Sequence, residues 1–332
     1  MDKYATVHLN ENLKGPGDGR PSALQIIKDN DLEGKLSDKV MIITGCSSGI
    51  GIETARALSA TGATLYLTVR DLDKAKAALE GILEPGRVEI LHLDLNSLAS
   101  VRKAAEEFLS KSKTLNVLIN NAGIMATPEG KTEDGFETQF GTNHLAHFYL
   151  FSLVKDTLIA SSTPSFHSRV VNVASVGHRH TPIHFDNFMM VGNYHPQNAY
   201  GQSKTANIQM ANQIERLYGS QGLHGLSLHP GGIATGLQKT IDMSGIVTAY
   251  PWIQKTIKDV RQGAATTVWA AVGKVWEGSG GKYLEDCQVA RPARAKYGPD
   301  EEGGYAGYAE WAYDRASEER LWEVSLSLVG MA

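Results

Sequence analysis

The chain has 332 residues, 42 % hydrophobic and 20 % charged, a composition that can bury a core without staples and excludes a low-complexity or disordered protein. Its 32 Lys and Arg against 36 Asp and Glu give a formal charge of −4, which offers no basic face for nucleic acid. Two cysteines, Cys46 and Cys287, are too few for a disulfide framework, and no apolar run reaches the roughly 18 residues of a transmembrane segment. Without a signal-peptide core or an N-x-S/T sequon, the sequence predicts a cytoplasmic protein.

Residues 1–37 read as an N-terminal extension, with a turn or two of helix over Ser22–Lys28. Short apolar, β-rich runs then alternate with helical patterns. Strands are expected at Val40–Thr44, Thr64–Val69, Val88–Leu93, Asn116–Asn120, Arg169–Val173 and Leu223–His229. Helices are expected at Ile50–Ser59, Leu72–Leu83, Ser97–Leu109, Phe136–Leu158 and Ala199–Tyr218. Continuous apolar strands suit burial on both faces, and the intervening helices suit crossovers. The alternation predicts an α/β fold, one doubly wound parallel sheet flanked by helices on both faces. Residues 291–332, rich in Gly, Tyr and acids and ending in the helical pattern Leu321–Leu328, read as a C-terminal extension packed on the domain of residues 38–290.

After the first strand comes Thr44-Gly45-Cys46-Ser47-Ser48-Gly49-Ile50-Gly51. Gly45 permits a sharp turn, Gly49 lets a pyrophosphate approach the backbone, and Gly51 lets helix and sheet pack closely. The helix that follows offers free N–H groups to phosphate. Between strand and helix, this pattern marks a dinucleotide-binding loop of Rossmann type. At the end of the second strand Val69 stands where an acid would bind the ribose hydroxyl of NAD, and Arg70 follows. A guanidinium pairs with a 2′-phosphate, with Ser47 as a further donor, so NADP(H) is the expected cofactor. The alternative is that Arg70 only pairs with Asp71 or Asp73 on the surface.

The spacing T-G-x-x-x-G-x-G resembles that of the short-chain dehydrogenase/reductase family, and the likeness spans about Lys39 to Thr235. Asn120-Asn121-Ala122-Gly123 resembles its N-N-A-G signature, and Asp94-Leu95 its adenine contact. Thr68-Val69-Arg70-Asp71 and Asn143-His144-Leu145-Ala146-His147-Phe148 are most similar in wording to the retinol dehydrogenase and WW-domain oxidoreductase branch.

Tyr200 and Lys204 stand four apart on one helical face. A phenol with a reference pKa of about 10 needs neighbouring cations to act as a base near neutrality. Ser175 ends the fifth strand, where sheets of this kind place ligands. The resemblance implies that Ser175, Tyr200, Lys204 and Asn143 form a catalytic tetrad, with Asn143 holding a water on a proton path to Lys204. It also implies that Pro230-Gly231-Gly232-Ile233-Ala234-Thr235 holds the nicotinamide carboxamide through the Ile233 backbone and the Thr235 hydroxyl.

In the family, the segment Gly236–Val260 is the substrate lid. Here it carries Leu237, Ile241, Met243, Ile246, Val247, Tyr250, Trp252 and Ile253, which predicts a lipophilic carbonyl or alcohol as substrate. His178, Arg179, His180 and His184 are expected at the same mouth, with packing or solvation preferred to metal binding. Helices Phe136–Leu158 and Ala199–Tyr218 imply a homodimer, unless the extensions cover them. Two rival readings are a non-catalytic NADP-binding sensor or scaffold, and a C=C or C=N reductase on the same fold.

Overall fold

The structure, a computed structural model, describes residues 3–233, 248–298 and 304–332. The six expected strands form as β1 Val40–Thr44, β2 Thr64–Val69, β3 Val88–His92, β4 Val117–Asn120, β5 Ser168–Val173 and β6 Leu223–His229. Two further strands, β7 Lys282–Glu285 and β8 Gln288–Val289, extend the edge. The sheet order is β3-β2-β1-β4-β5-β6-β7-β8, parallel except for the β7–β8 hairpin. The order reverses between β1 and β4, the switch point at which such sheets open a crevice beyond their carboxyl ends.

Strand alternation divides the core into two layers. Met41 and Ile43 of β1, Val117 and Ile119 of β4 and Leu226 and Leu228 of β6 pack on one face. That face is covered by α1 Ala23–Asp29, α2 Ile50–Ser59 and α10 Ala265–Val272. Ile42, Leu118 and Val170 point the other way, against α4 Leu98–Lys111, α6 Ala146–Ser161 and α7 Pro196–Tyr218. Each fully buried Ile, Leu or Phe contributes about 1.5–3 kcal/mol.

Three elements differ from expectation. The helix α3 covers only Leu72–Ala78. The pattern Phe136–Leu158 resolves into a short turn, α5 Thr138–Phe140, a π-helical turn Gly141–Leu145, and α6. The C-terminal helix, α11 Arg315–Leu328, is longer than its apolar pattern and starts at Asp314, whose carboxylate caps the N–H groups of Ala316 and Ser317. No helix among the described residues is long and apolar enough to cross a membrane.

Candidate active site

A cavity of about 900 Å³ runs over the carboxyl ends of β1, β2, β4, β5 and β6. At one end lies the glycine loop. Gly45 leaves β1 at φ +75, and a Cβ there would sit 2.8 Å from Ala122, so only glycine lets the two turns meet. Ser47, Ser48, Gly49, Ile50 and Gly51 line the cavity, with α2 starting at Ile50. Asp94 and Leu95 close the far edge beyond β3.

Arg70 lines the cavity at the end of β2. Asp71 caps α3 by accepting the Lys74 N–H at 3.0 Å, and Asp73 pairs with Lys76 at 3.7 Å. Among the described residues Arg70 therefore forms no ion pair with either acid.

The turn Asn121-Ala122-Gly123 is ordered by Thr44, a residue to which the sequence assigned no role. Its hydroxyl oxygen accepts the N–H groups of Asn121 and Ala122, each at 2.9 Å. The Asn121 side chain donates back to the Thr44 carbonyl at 2.7 Å. Thr44 also meets His147 Nε2 at 2.9 Å, while His147 Nδ1 meets the Asn143 carbonyl at 3.0 Å. A carbonyl only accepts, so Nδ1 carries the proton and Nε2 accepts from the Thr44 hydroxyl. Burial holds His147 neutral, its pKa pushed down to about 4, as this relay requires. In the sequence His147 stands only within the family-like wording after Asn143; no local pattern signals a partner 103 residues away.

Asn143 sits on the π-helical turn, a geometry common at functional sites. Its amide donates to the Ile124 carbonyl and the Ser203 hydroxyl, both at 2.9 Å, and its oxygen accepts the Ile124 N–H at 2.9 Å. Asn143 is fully buried and stays out of the cavity wall, where Gly123 and Ile124 stand instead.

Ser175, Tyr200 and Lys204 converge on the cavity floor. Ser175 ends the β5 segment in extended conformation and its hydroxyl accepts the Gly177 N–H at 3.0 Å, capping the turn Val176–His180. The same hydroxyl stands beside Tyr200 and, by hydrogen bonding, draws its phenol pKa down. Proline at the first position of α7 presets the helix that carries Tyr200 and Lys204. Lys204 Nζ donates to the Val173 carbonyl at 2.8 Å and lies 5.6 Å from the Tyr200 ring centre. Burial pushes the Tyr200 phenol up to about 12, with the Ser175 bond pulling against it, and pushes Lys204 down to about 7.

Pro230, Gly231 and Ile233 form the wall after β6. Thr235, Leu237, Ile241, Met243, Ile246 and Val247 lie outside the described residues. Of the described part of that segment, Trp252, Ile253, Thr256, Ile257 and Lys258 reach the cavity. The expected mouth residues separate. His180 reaches the cavity, whereas His178 turns inward between the Ser175 carbonyl at 2.7 Å and the Ala309 N–H at 3.1 Å. Arg179 binds main-chain carbonyls of the C-terminal extension, and His184 binds Thr181.

The family model for short chain dehydrogenase matches residues 39–244. The chain belongs to the short-chain dehydrogenase/reductase family. The short-chain dehydrogenase/reductase prx1 of Penicillium roqueforti is 55 % identical to it over 334 aligned residues, 99 % of this chain and 96 % of that one. Retinol dehydrogenase 12 of Mus musculus is 34 % identical, over 90 % of this chain and 88 % of its own length. The crystal structure of an uncharacterised protein from Mycobacterium Paratuberculosis superposes with a TM-score of 0.66 at 32 % identity, covering 88 % of this chain and 93 % of that one.

An oxidoreductase of this family works with a nicotinamide dinucleotide, and the residues present fit one. Gly123 leaves open the space above Lys204: a Cβ on it would stand 3.3 Å from Lys204 Nζ and 3.2 Å from Asn143 Oδ1. That cradle continues to the N-terminus of α2, whose free N–H groups suit a pyrophosphate.

Proposed function

We propose that this dehydrogenase/reductase is NADP(H)-dependent and interconverts a carbonyl and an alcohol on a lipophilic small molecule, with Tyr200 as the general acid and base. The observation that carries the reading is the convergence of Tyr200, Ser175 and Lys204 at the floor of one cavity, at the carboxyl end of β5.

The nicotinamide, when bound, gives or takes the hydride at its ring C4. The chain supplies the rest. Ser47, Ser48 and the start of α2 hold the pyrophosphate, Asp94 and Leu95 flank the adenine, and Arg70 holds the 2′-phosphate. Asn121, Ala122 and Gly123 form the floor beneath, and Pro230, Gly231 and Ile233 the wall at the carboxamide. Lys204 bonds the nicotinamide ribose. Ser175 donates to the substrate carbonyl oxygen and Tyr200 delivers the proton to it. One hydride on carbon and one proton on oxygen turn C=O into CH–OH, and the reverse removes both. With its pKa pushed up to about 12, Tyr200 keeps its proton at neutral pH, the form that reduction needs. For oxidation the phenol must first lose that proton, each unit of pKa costing about 1.4 kcal/mol, and the Ser175 bond already favours the phenolate. Asn143 is a positioning residue that fixes Ile124 and the turn above Lys204. Trp252, Ile253, Met125 and Val176 line the cavity and suit an apolar substrate.

The test is consumption of NADPH and of NADH by the purified protein with a panel of aldehydes and ketones. Turnover is expected with NADPH preferred. Tyr200→Phe should bind NADPH within about twofold of the parent and lose turnover by roughly 10²–10⁴-fold. A Tyr200→Phe protein that keeps most of its activity removes Tyr200 from the chemistry.

A further inference from the structure

The C-terminal extension enters the cavity. Tyr297, Tyr305 and Ala306 line it together with Ser175 and Tyr200. Their rings continue a chain of aromatics drawn from three separate segments. His180, in the turn after Ser175, meets Tyr297 edge-on at 4.4 Å. Tyr297 meets Tyr305 edge-on at 5.6 Å, and Tyr305 meets Trp252 of the lid at 6.3 Å with ring planes 31° apart.

These rings are held, not merely nearby. Arg179 is buried, and its guanidinium donates to the carbonyls of Ala295, Gly304 and Ala306 while lying 5.6 Å from the Tyr297 ring centre. Both oxygens of Glu285, at the end of β7, accept the Gly307 N–H at 3.0 Å. Trp311 Nε1 donates to the His178 carbonyl at 3.0 Å. The extension is thus tied to the turn that starts at Ser175 and to the end of a strand of the sheet. Arg179 and Glu285 direct hydrogen bonds to the protein's own backbone, and Lys258 and Asp286, also in the wall, pair with each other at 2.6 Å. With these charges engaged inside the protein, Tyr297, Tyr305 and Trp252 offer a ligand aromatic surface.

Resting on the carbonyl–alcohol reading above, we propose that Tyr297 and Tyr305, with Trp252 and His180, form an aromatic clamp that selects a neutral substrate whose carbonyl is attached to a flat ring system. Ring faces at these separations reward a planar partner beyond the area it buries, whereas a flexible chain gains only area. The positioning residues for the clamp are Arg179 and Glu285.

The probes are 2-naphthaldehyde, flat and neutral, and decanal, of similar lipophilicity but linear. In Tyr297→Leu and Tyr305→Leu, which keep apolar volume and lose the ring, KM for 2-naphthaldehyde should rise about five- to tenfold with kcat within about twofold. KM for decanal should stay within about twofold. Tyr297→Phe, which keeps the ring, should behave as the parent. Equal changes for both aldehydes, or none for either, overturn the clamp. If the parent protein reduces neither probe, the reaction assigned above fails independently, and binding decides instead. Equilibrium dialysis of NADP⁺-saturated parent protein should then retain 2-naphthaldehyde over decanal, a preference lost in both Leu variants. Equal retention of the two aldehydes overturns the proposal.

Discussion

At the end of β2 the guanidinium of Arg70 lines the dinucleotide cavity with no carboxylate paired to it among the described residues, because Asp71 is engaged as a helix cap and Asp73 with Lys76. An uncompensated cation at this position favours an extra phosphate. Arg70 is exposed, so solvent screens it and the gain lies at the lower end for a charge-assisted bond, about 1.5 kcal/mol. Arg70→Ala is therefore expected to raise KM for NADPH about tenfold and leave NADH within about twofold. The NADPH effect should shrink as salt is added. Steady-state kinetics with both cofactors decide it, and a parallel rise for the two would remove the 2′-phosphate from the argument.

Among the elements, the N-terminal segment has the least local logic and one of the firmest anchors. It runs past the cavity with His8, Asn10 and Leu13 in the wall. It is then pinned by Arg20, whose side chain is only 2 % exposed, as is that of its partner Asp18 at 2.8 Å. Arg20 also donates to the carbonyls of Thr256 and Ile257, each at 2.7 Å. It thereby satisfies the C-terminal end of α8, Pro251–Thr256, as a cation at a helix C-terminus does. Burial alone would raise the Asp18 carboxyl; bonds from Arg20 and from backbone N–H groups outweigh it and bring it down to about 2. Because this pKa is depressed, its stabilisation is present above the ordinary carboxylate value near 4 and lost as pH falls towards 2. Arg20→Met leaves the Asp18 carboxylate without its cation, held only by backbone N–H groups and the Gln262 amide, at a cost of about 3 kcal/mol at neutral pH. Thermal denaturation should show a lower midpoint for Arg20→Met, partly restored by adding Asp18→Asn. An unchanged midpoint would show that the anchor carries no stability. None of this was legible in the sequence, since Arg20 and Thr256 are 236 residues apart. The six central strands were legible, because runs such as Val-Met-Ile-Ile-Thr suit only a strand buried on both faces. β7 escaped notice because its four residues, Lys-Tyr-Leu-Glu, follow a Gly-rich turn and lack a continuous apolar run. The π-helical turn at Gly141–Leu145 escaped because periodicity reports which face is apolar, not which carbonyl each N–H selects. Tyr200 and Lys204 were legible as a spacing and Ser175 as a strand end, while Tyr297 and Tyr305 had no pattern to announce them.

For the whole molecule, the face that α6 and α7 would offer to a second copy is taken by α11. Trp322 packs edge-on against Phe148 at 5.0 Å and lies 6.0 Å from Phe151. Asn212 of α7 donates to the Glu318 carboxylate at 2.7 Å, Arg216 pairs with Glu318, and His144 bonds the Ser325 hydroxyl at 2.8 Å. The sequence left open whether those two helices meet a partner or are covered by an extension, and this packing favours cover. Light scattering of the full chain at micromolar concentration should give the mass of one chain. Trp322 is half-buried, so Trp322→Ala should cost somewhat less than the about 3–5 kcal/mol of a fully buried tryptophan. Because it uncovers Phe148 and Phe151, the same substitution should also raise the tendency to self-associate. A full chain that scatters as a dimer, with Trp322→Ala leaving that dimer unchanged, would place the contact elsewhere and show that α11 does not determine the assembly.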